Sequence, residues 1–272
     1  MSTHDRADHV HAWNMPSIPV DVLHLILEHV DRASLIKICL VNKVCCSCCQ
    51  DILYRDIRID DRRFNITKIC QTLNESTHLA KLVRSFEISV YDYVVKREDE
   101  QELRKSMQNM TCLRSLRLDD PNFGILDGCT FKLDSFSSGG FFNKALHRFL
   151  CSQPSLTDLQ FGNFRDSVTE LGPCLPNITR VSTHFSWLPH IIPYRPLSQV
   201  ISYGSRQYGE SVDLRFFTLS AAPIQKLAIH YTYLNVPLQL LASIFPSLTH
   251  LTLEPAPWRR RMVSERFLFI YQ

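Results

Sequence analysis

The chain has 272 residues, 45% of them hydrophobic and 21% charged, the balance of an ordinary globular protein rather than a disordered one. Its net charge of +3 is too small to argue for nucleic acid or a membrane surface, and no apolar run reaches the ~18 residues of a membrane span. The length suits two compact units, or one small unit followed by an array.

The first residues, MSTHDRADHVHAW, are polar and lack the apolar centre of a secretory signal, so an intracellular protein, cytoplasmic or nuclear, is expected. Residues 1–15 read as a flexible tail. His4, His9 and His11 share it with Asp5 and Asp8, a set better read as solvated than as a metal site.

Between Ile18 and Arg58 three short helical segments follow one another closely. Val22, Leu23, Ile26, Leu27 and Val30 recur at spacings of three and four, the stripe of an amphipathic helix. Leu35, Ile36, Ile38, Cys39, Leu40 and Val41 form a second apolar run, and Ile52, Leu53 and Tyr54 close the set. Pro19 suits the first helical turn. Asp31 or Ser34 suits the start of the second helix, and Asn42 that of the third. A unit of about 40 residues is at the lower limit of independent folding, so it is expected to lean on a partner or on the rest of its chain.

These residues resemble an F-box, the motif by which substrate receptors of SCF-type ubiquitin ligases hold a Skp-family adaptor. The family's opening Leu-Pro, acidic residue and aliphatic run correspond to Ile18-Pro19-Val20-Asp21-Val22-Leu23 and then Ile26-Leu27. Its second-helix aliphatics and the Val and Lys that follow correspond to Leu35-Ile36-Lys37-Ile38 and Val41-Asn42-Lys43. The Leu-Tyr-Arg that closes many fungal members stands at Leu53-Tyr54-Arg55. Where the family usually places a Trp, this chain has Val44, Cys45 and Cys46. The resemblance covers residues 16–58 and implies that Ile18, Pro19, Leu23, Ile26, Leu27, Leu35, Ile36, Val41 and Lys43 face the adaptor or brace the surface that does.

The rest of the chain, residues 59–272, repeats one phrase, aliphatic-x-x-aliphatic-x-aliphatic. Full copies begin at Val83, Leu113, Leu156, Ile224 and Leu248, and shorter ones at Leu133, Ile178 and Leu197. Successive starts lie 30, 20, 23, 22, 19, 27 and 24 residues apart, mostly within the period of leucine-rich repeats. Each copy predicts a short strand with its aliphatics turned inward and a return segment leading to the next rung. Return segments are expected over 98–107, from Phe142 to Cys151 and from Val236 to Phe245. The phrases Gln-Pro-Ser-Leu-Thr-Asp-Leu at 153–159, Leu-Pro-Asn-Ile-Thr-Arg-Val at 175–181 and Phe-Pro-Ser-Leu-Thr-His-Leu at 245–251 are near copies. In each, the Pro is expected to stop a helix and the strand to begin two residues later. Asp119-Asp120, Gly162-Asn163 and Glu254-Pro255 stand where regular repeats carry Asn or Cys, so the array resembles the degenerate leucine-rich-like domains that follow F-boxes in many fungal proteins.

The expected fold is therefore α/β: a three-helix F-box, then an irregular leucine-rich-repeat-like solenoid with a curved parallel sheet. The alternative for the second part is a parallel α/β domain without a true repeat. After the last full copy come Pro255-Ala256-Pro257-Trp258, three arginines and an apolar tail, Phe267-Leu268-Phe269-Ile270-Tyr271. That tail reads as one further strand, a shortened or mispredicted C-terminus, or an edge that a partner covers.

Ten cysteines in a reducing compartment are expected to be free thiols. Cys39, Cys70, Cys112, Cys151 and Cys174 sit in or beside apolar runs, as buried thiols do. Cys45-Cys46-Ser47-Cys48-Cys49 holds two overlapping C-x-x-C spacings, but no second ligand pair follows at zinc-site spacing, so no metal is expected there. No phosphate-cradling glycine motif, Gly-x-Ser-x-Gly elbow or His-Glu-x-x-His pair occurs, and Arg62-Arg63 and Arg259-Arg260-Arg261 read as solvated charge. No catalytic residue and no cofactor are expected. The resemblance implies a non-catalytic receptor that binds a Skp-family adaptor, through it a cullin scaffold, and an unidentified target protein through the repeats. The rival reading is a stand-alone repeat scaffold whose first helices are only a cap.

Overall fold

The structure, a computed structural model, describes residues 18–59, 66–89, 97–119, 123–139, 142–161, 174–203, 213–230, 238–254 and 267–270. The N-terminal histidines, Arg62-Arg63, Asp120, Gly162-Asn163, residues 255–266 and Tyr271 lie outside them. Two compact units divide the chain, residues 1–53 and 54–272.

The first unit holds α1 (Val20–Leu27), α2 (Arg32–Ile38) and most of α3 (Lys43–Arg55). The starts of α2 and α3 follow from local chemistry. Asp31 accepts the Ser34 backbone N–H at 3.0 Å, and Asn42 accepts that of Cys45 at 2.8 Å, each filling one orphan donor of a first turn. Pro19 stands one position earlier than expected. Its backbone is extended at φ −53° and ψ 140°, outside the helix, while its carbonyl accepts the first helical bond from Leu23 at 3.0 Å.

In the second unit nine parallel strands stack in chain order. They are β1 (Asp56–Ile59), β2 (Ser85–Ile88), β3 (Ser115–Leu118), β4 (Ser135–Ser138), β5 (Asp158–Phe161), β6 (Arg180–His184), β7 (Gln199–Tyr203), β8 (Lys226–His230) and β9 (His250–Glu254). A tenth, β10 (Phe267–Ile270), pairs antiparallel with β9. Parallel neighbours need a crossover. Here the crossovers carry α4 (Ile66–Glu75) and α5 (Thr77–Leu82), then α6 (Arg97–Asn109), α7 (Lys144–Cys151), α8 (Leu188–Ile191) and α9 (Leu238–Ile244), with 3-10 segments at Phe123–Leu126, Phe185–Trp187 and Leu214–Leu219.

All eight repeat copies become strands, and the register explains why the phrase recurs. Phe86, Leu116, Phe136, Leu159, Val181, Val200, Leu227 and Leu251 lie side by side across the sheet. All are buried. A first rung was hidden in the sequence: β1 adds Ile57 beside Phe86, and Tyr54-x-x-Ile57-x-Ile59 is the same phrase with an aromatic at its head. Tyr54 packs against the repeat core like the residues that head the other copies. Aromatic rings thicken the middle of the array, with Phe136 against Phe149 and Phe161 at 5.8 and 6.4 Å and Phe142 against Trp187 at 4.9 Å.

Each strand starts four residues after the proline of its phrase, at Asp158, Arg180 and His250, not two. The intervening Ser/Asn-aliphatic-Thr serves a different contact. Thr157 donates its hydroxyl to the Asp134 carbonyl at 3.1 Å, Thr179 to that of Thr157 at 3.3 Å, Ser198 to that of Thr179 at 3.2 Å and Thr249 to that of Gln225 at 3.0 Å. In these four rungs one hydroxyl ties the rung to its predecessor. Below them Gln153, buried, accepts the Leu133 N–H at 2.9 Å and donates to the Phe131 carbonyl at 3.3 Å.

One expectation about the cysteines is overturned: Cys151 and Cys174 form a disulfide. Their separation of 23 residues is one repeat period, and stacking brings their Cα atoms to 4.8 Å. Periodicity along the chain, not proximity within it, made the pair.

Candidate functional site

The three helices of the first unit leave their apolar residues in two sets. Leu27, Leu35, Cys48 and Cys49 are buried together, and Leu23, Val30, Ile38, Cys39, Ile52 and Leu53 pack around them. The other set faces outward. Ile18, Val20, Val22, Leu25 and Ile26 on and before α1, Ile36 on α2, Leu40 and Val41 between α2 and α3, and Val44 on α3 are all exposed, from 45% at Val22 to 86% at Leu40. Among the described residues these are nine of the twelve large hydrophobics that are exposed. A concentration of exposed apolar residues of this kind is typical of interaction surfaces.

Of the nine residues singled out from the sequence, Ile18, Pro19, Ile26, Ile36, Val41 and Lys43 are exposed, Leu23 is half-buried, and Leu27 and Leu35 are core. The last two belong to the buried cluster of this unit. Val20, Val22, Leu25, Leu40 and Val44 are exposed as well, though none was among those nine. Their signal was present: α1 is apolar nearly all round, and a helix of that kind on a small unit must be covered on more than one side. Val44, half exposed, stands at the first of the three positions around the family's Trp. Arg32 closes the motif by donating Nη2 to the Leu53 carbonyl at 3.0 Å.

The cysteine cluster belongs to this architecture. Cys48 and Cys49 point into the core while Cys45 and Cys46 are half-buried. Burial, reinforced by neighbouring Cys39, pushes the Cys49 thiol up to about 11, and burial also raises Cys48. Such thiols stay protonated and pack as small apolar groups.

On the second unit, the strand residues between the inward aliphatics form the sheet's other face. It begins charged: Arg58 donates to Glu87 at 2.6 Å, Arg117 lies 3.5 Å from Glu87 and 3.7 Å from Asp119, and Arg180 lies 2.9 Å from Asp158. Burial pushes the Glu87 carboxyl up, but hydrogen bonds from Arg58 and Ser89 and the charges of Arg58 and Arg117 outweigh it and hold the group below its ordinary range. Further along, Ser135, Ser137, Gln160 and Ser182 give way to Ile201 and Ala228. Beside the entries to β2, β3 and β4, Arg84, Thr111, Cys112, Arg114 and Lys132 line a cleft of about 460 Å³. A hydrogen bond from Arg84 is the main cause holding the Cys112 thiol below its usual value.

A family model of the F-box domain matches residues 15–55. That span contains all three helices and ends with α3. Behind it comes the parallel α/β repeat region. A search of curated proteins finds no match to the chain.

Proposed function

We propose that this chain is the substrate-recognition subunit of an SCF-type E3 ubiquitin ligase, with degenerate leucine-rich-like repeats of the kind that follow F-boxes in fungal proteins. Residues 16–58 bind a Skp-family adaptor that links to a cullin scaffold, and the repeats hold a target protein. The chain itself makes and breaks no bonds, and it acts in the cytoplasm or nucleus. The observation that carries the reading is the outward apolar set on α1, α2 and α3, lying within the span matched by the F-box domain. Ile18, Pro19, Ile26, Ile36, Val41 and Lys43 contact the adaptor, joined by Val20, Leu25, Leu40 and Val44, while Leu23, Leu27 and Leu35 brace that surface.

Ile26 and Ile36 are 51% and 60% exposed, so both accept a charge without loss of the small core. The Ile26→Asp/Ile36→Asp double variant is expected to lose co-purification with the Skp-family adaptor by ~100-fold or more, as for two central interface anchors. Full-strength capture by a folded double variant overturns the reading and favours a stand-alone repeat scaffold.

A further inference from the structure

His147, Cys151 and Cys174 belong to the second unit. His147 and Cys151 are four residues apart on α7, which puts them on one helical face. Cys174 comes from the segment leading to β6, one rung later. The His147 Nε2 and the two sulfurs lie within 4.8 Å of one another, and among the described residues this is the one group of three His, Cys, Asp or Glu side chains that converges so closely.

We propose that in the dithiol state these three residues bind one metal ion of the zinc class, and that the disulfide is the metal-free alternative of the same pair. Tetrahedral zinc with Zn–S of about 2.3 Å and Zn–N of about 2.0–2.1 Å sets sulfur and nitrogen about 3.6 Å apart. His147 Nε2 is 3.7 Å from the Cys151 sulfur.

The surroundings hold the donors in place. The Phe142 ring meets the His147 imidazole edge-on at 6.1 Å, with Trp187 packed against Phe142 in turn. The Cys174 carbonyl accepts both Nε and Nη2 of Arg195, at 3.1 and 2.8 Å, and Arg195 is only 4% exposed. A ligand backbone fixed by a buried guanidinium loses little freedom when a metal binds. Cys151 is exposed, so the ion has a route in and a fourth position open to water.

The two states exclude each other because each sulfur must be a thiolate to ligate. A phosphine reductant opens the disulfide by giving it two electrons; with one water it leaves as the phosphine oxide, and the two sulfurs become thiols. Zinc then displaces the two thiol protons to solvent.

The test uses the full chain, reduced with a phosphine, stripped of metal, and titrated with Zn²⁺ against a chromophoric chelator and separately with Co²⁺. About one equivalent at this site is expected, with thiolate-to-cobalt charge-transfer absorption. Cys174→Ser removes that equivalent, His147→Ala weakens it by ~10-fold or more, and His147→Cys, which keeps a ligand, retains it. Protein kept in the disulfide state lacks it. Undiminished binding in Cys174→Ser would place the metal elsewhere, on the α3 cysteines for example, and overturn the assignment. So would failure of the reduced wild type to take up zinc at micromolar concentration, or equal affinity in His147→Ala.

Discussion

The two units of this chain treat apolar residues in opposite ways. In the repeats every inward row is closed by the next rung, and among the described residues Tyr194, Leu219 and Leu240 are the large hydrophobics left exposed. The helices at the N-terminus bury four apolar residues fully and turn nine outward. A stacked array grows its core by adding rungs, whereas three short helices have too little interior for the aliphatics they carry. Covering the exposed half of one such side chain is worth about 1 kcal/mol. Several covered together offset part of the cost of holding a partner, so the same deficit that weakens the small unit suits it to docking.

The sharpest break in that contrast comes from the core of each unit. Phe136 is fully buried between Phe149 and Phe161, and Phe136→Ala is expected to destabilise the repeats by about 3–5 kcal/mol, read by chemical denaturation. Adding the Skp-family adaptor leaves that loss unrepaired. Leu35→Ala costs about 2–5 kcal/mol in the first unit, and there adaptor at about 100 times its Kd returns about 2.7 kcal/mol by linkage. Adaptor that stabilises neither unit, or both alike, contradicts the division of roles.

Much of this was legible in the chain. The aliphatic phrase recurs because each copy fills the same inward position, so eight strands could be read from Val83 to Leu253. Asp31 and Asn42 announced two helix starts through chemistry local to one turn. The misses have separate physical causes. β1 was passed over because Tyr54 stands in place of an aliphatic and because the strand follows α3 without a break. The Cys151–Cys174 pair required knowing that one repeat period returns the chain to the same edge. On the first unit, the family resemblance grouped Leu27 and Leu35 with Ile26 and Ile36 as residues that face the adaptor or brace that face, without separating the buried pair from the exposed one, because an all-round apolar helix does not declare which side faces in.

The hydroxyls of the repeats give a finer contrast. Thr179 ties its rung to Thr157, so Thr179→Val is expected to cost about 1 kcal/mol. Thr183 and Ser202 instead are paired in register across β6 and β7, fully buried, and among the described residues their hydroxyls have no hydrogen-bond partner. Thr183→Val combined with Ser202→Ala is expected to leave the repeats as stable as before or more stable by about 1 kcal/mol, since it removes two unpaired polar groups. The denaturation midpoint of Thr179→Val should fall while that of the double variant holds or rises. Equal losses would mean that the inward hydroxyls are bonded in solution.

The smallest effect separates the outer sheet face from both cores. Glu87 is held below the ordinary carboxylate value of 4.5 by Arg58, Ser89 and Arg117 against the opposing pull of burial. Its folded pKa is therefore lower than its unfolded one, so the native state binds this proton less readily. The resulting stability is fully present above the unfolded pKa and disappears as pH falls through the folded one. Arg58 is 66% exposed, so solvent screening limits the contribution to less than about 1 kcal/mol. Wild type and Glu87→Gln compared by denaturation should differ at neutral pH, converge as the medium is acidified below about 4.5, and converge also in high salt at neutral pH. A difference that persists into acid would assign the role of Glu87 to packing against its neighbours. The charged start of the outer face would then be part of the fold's support.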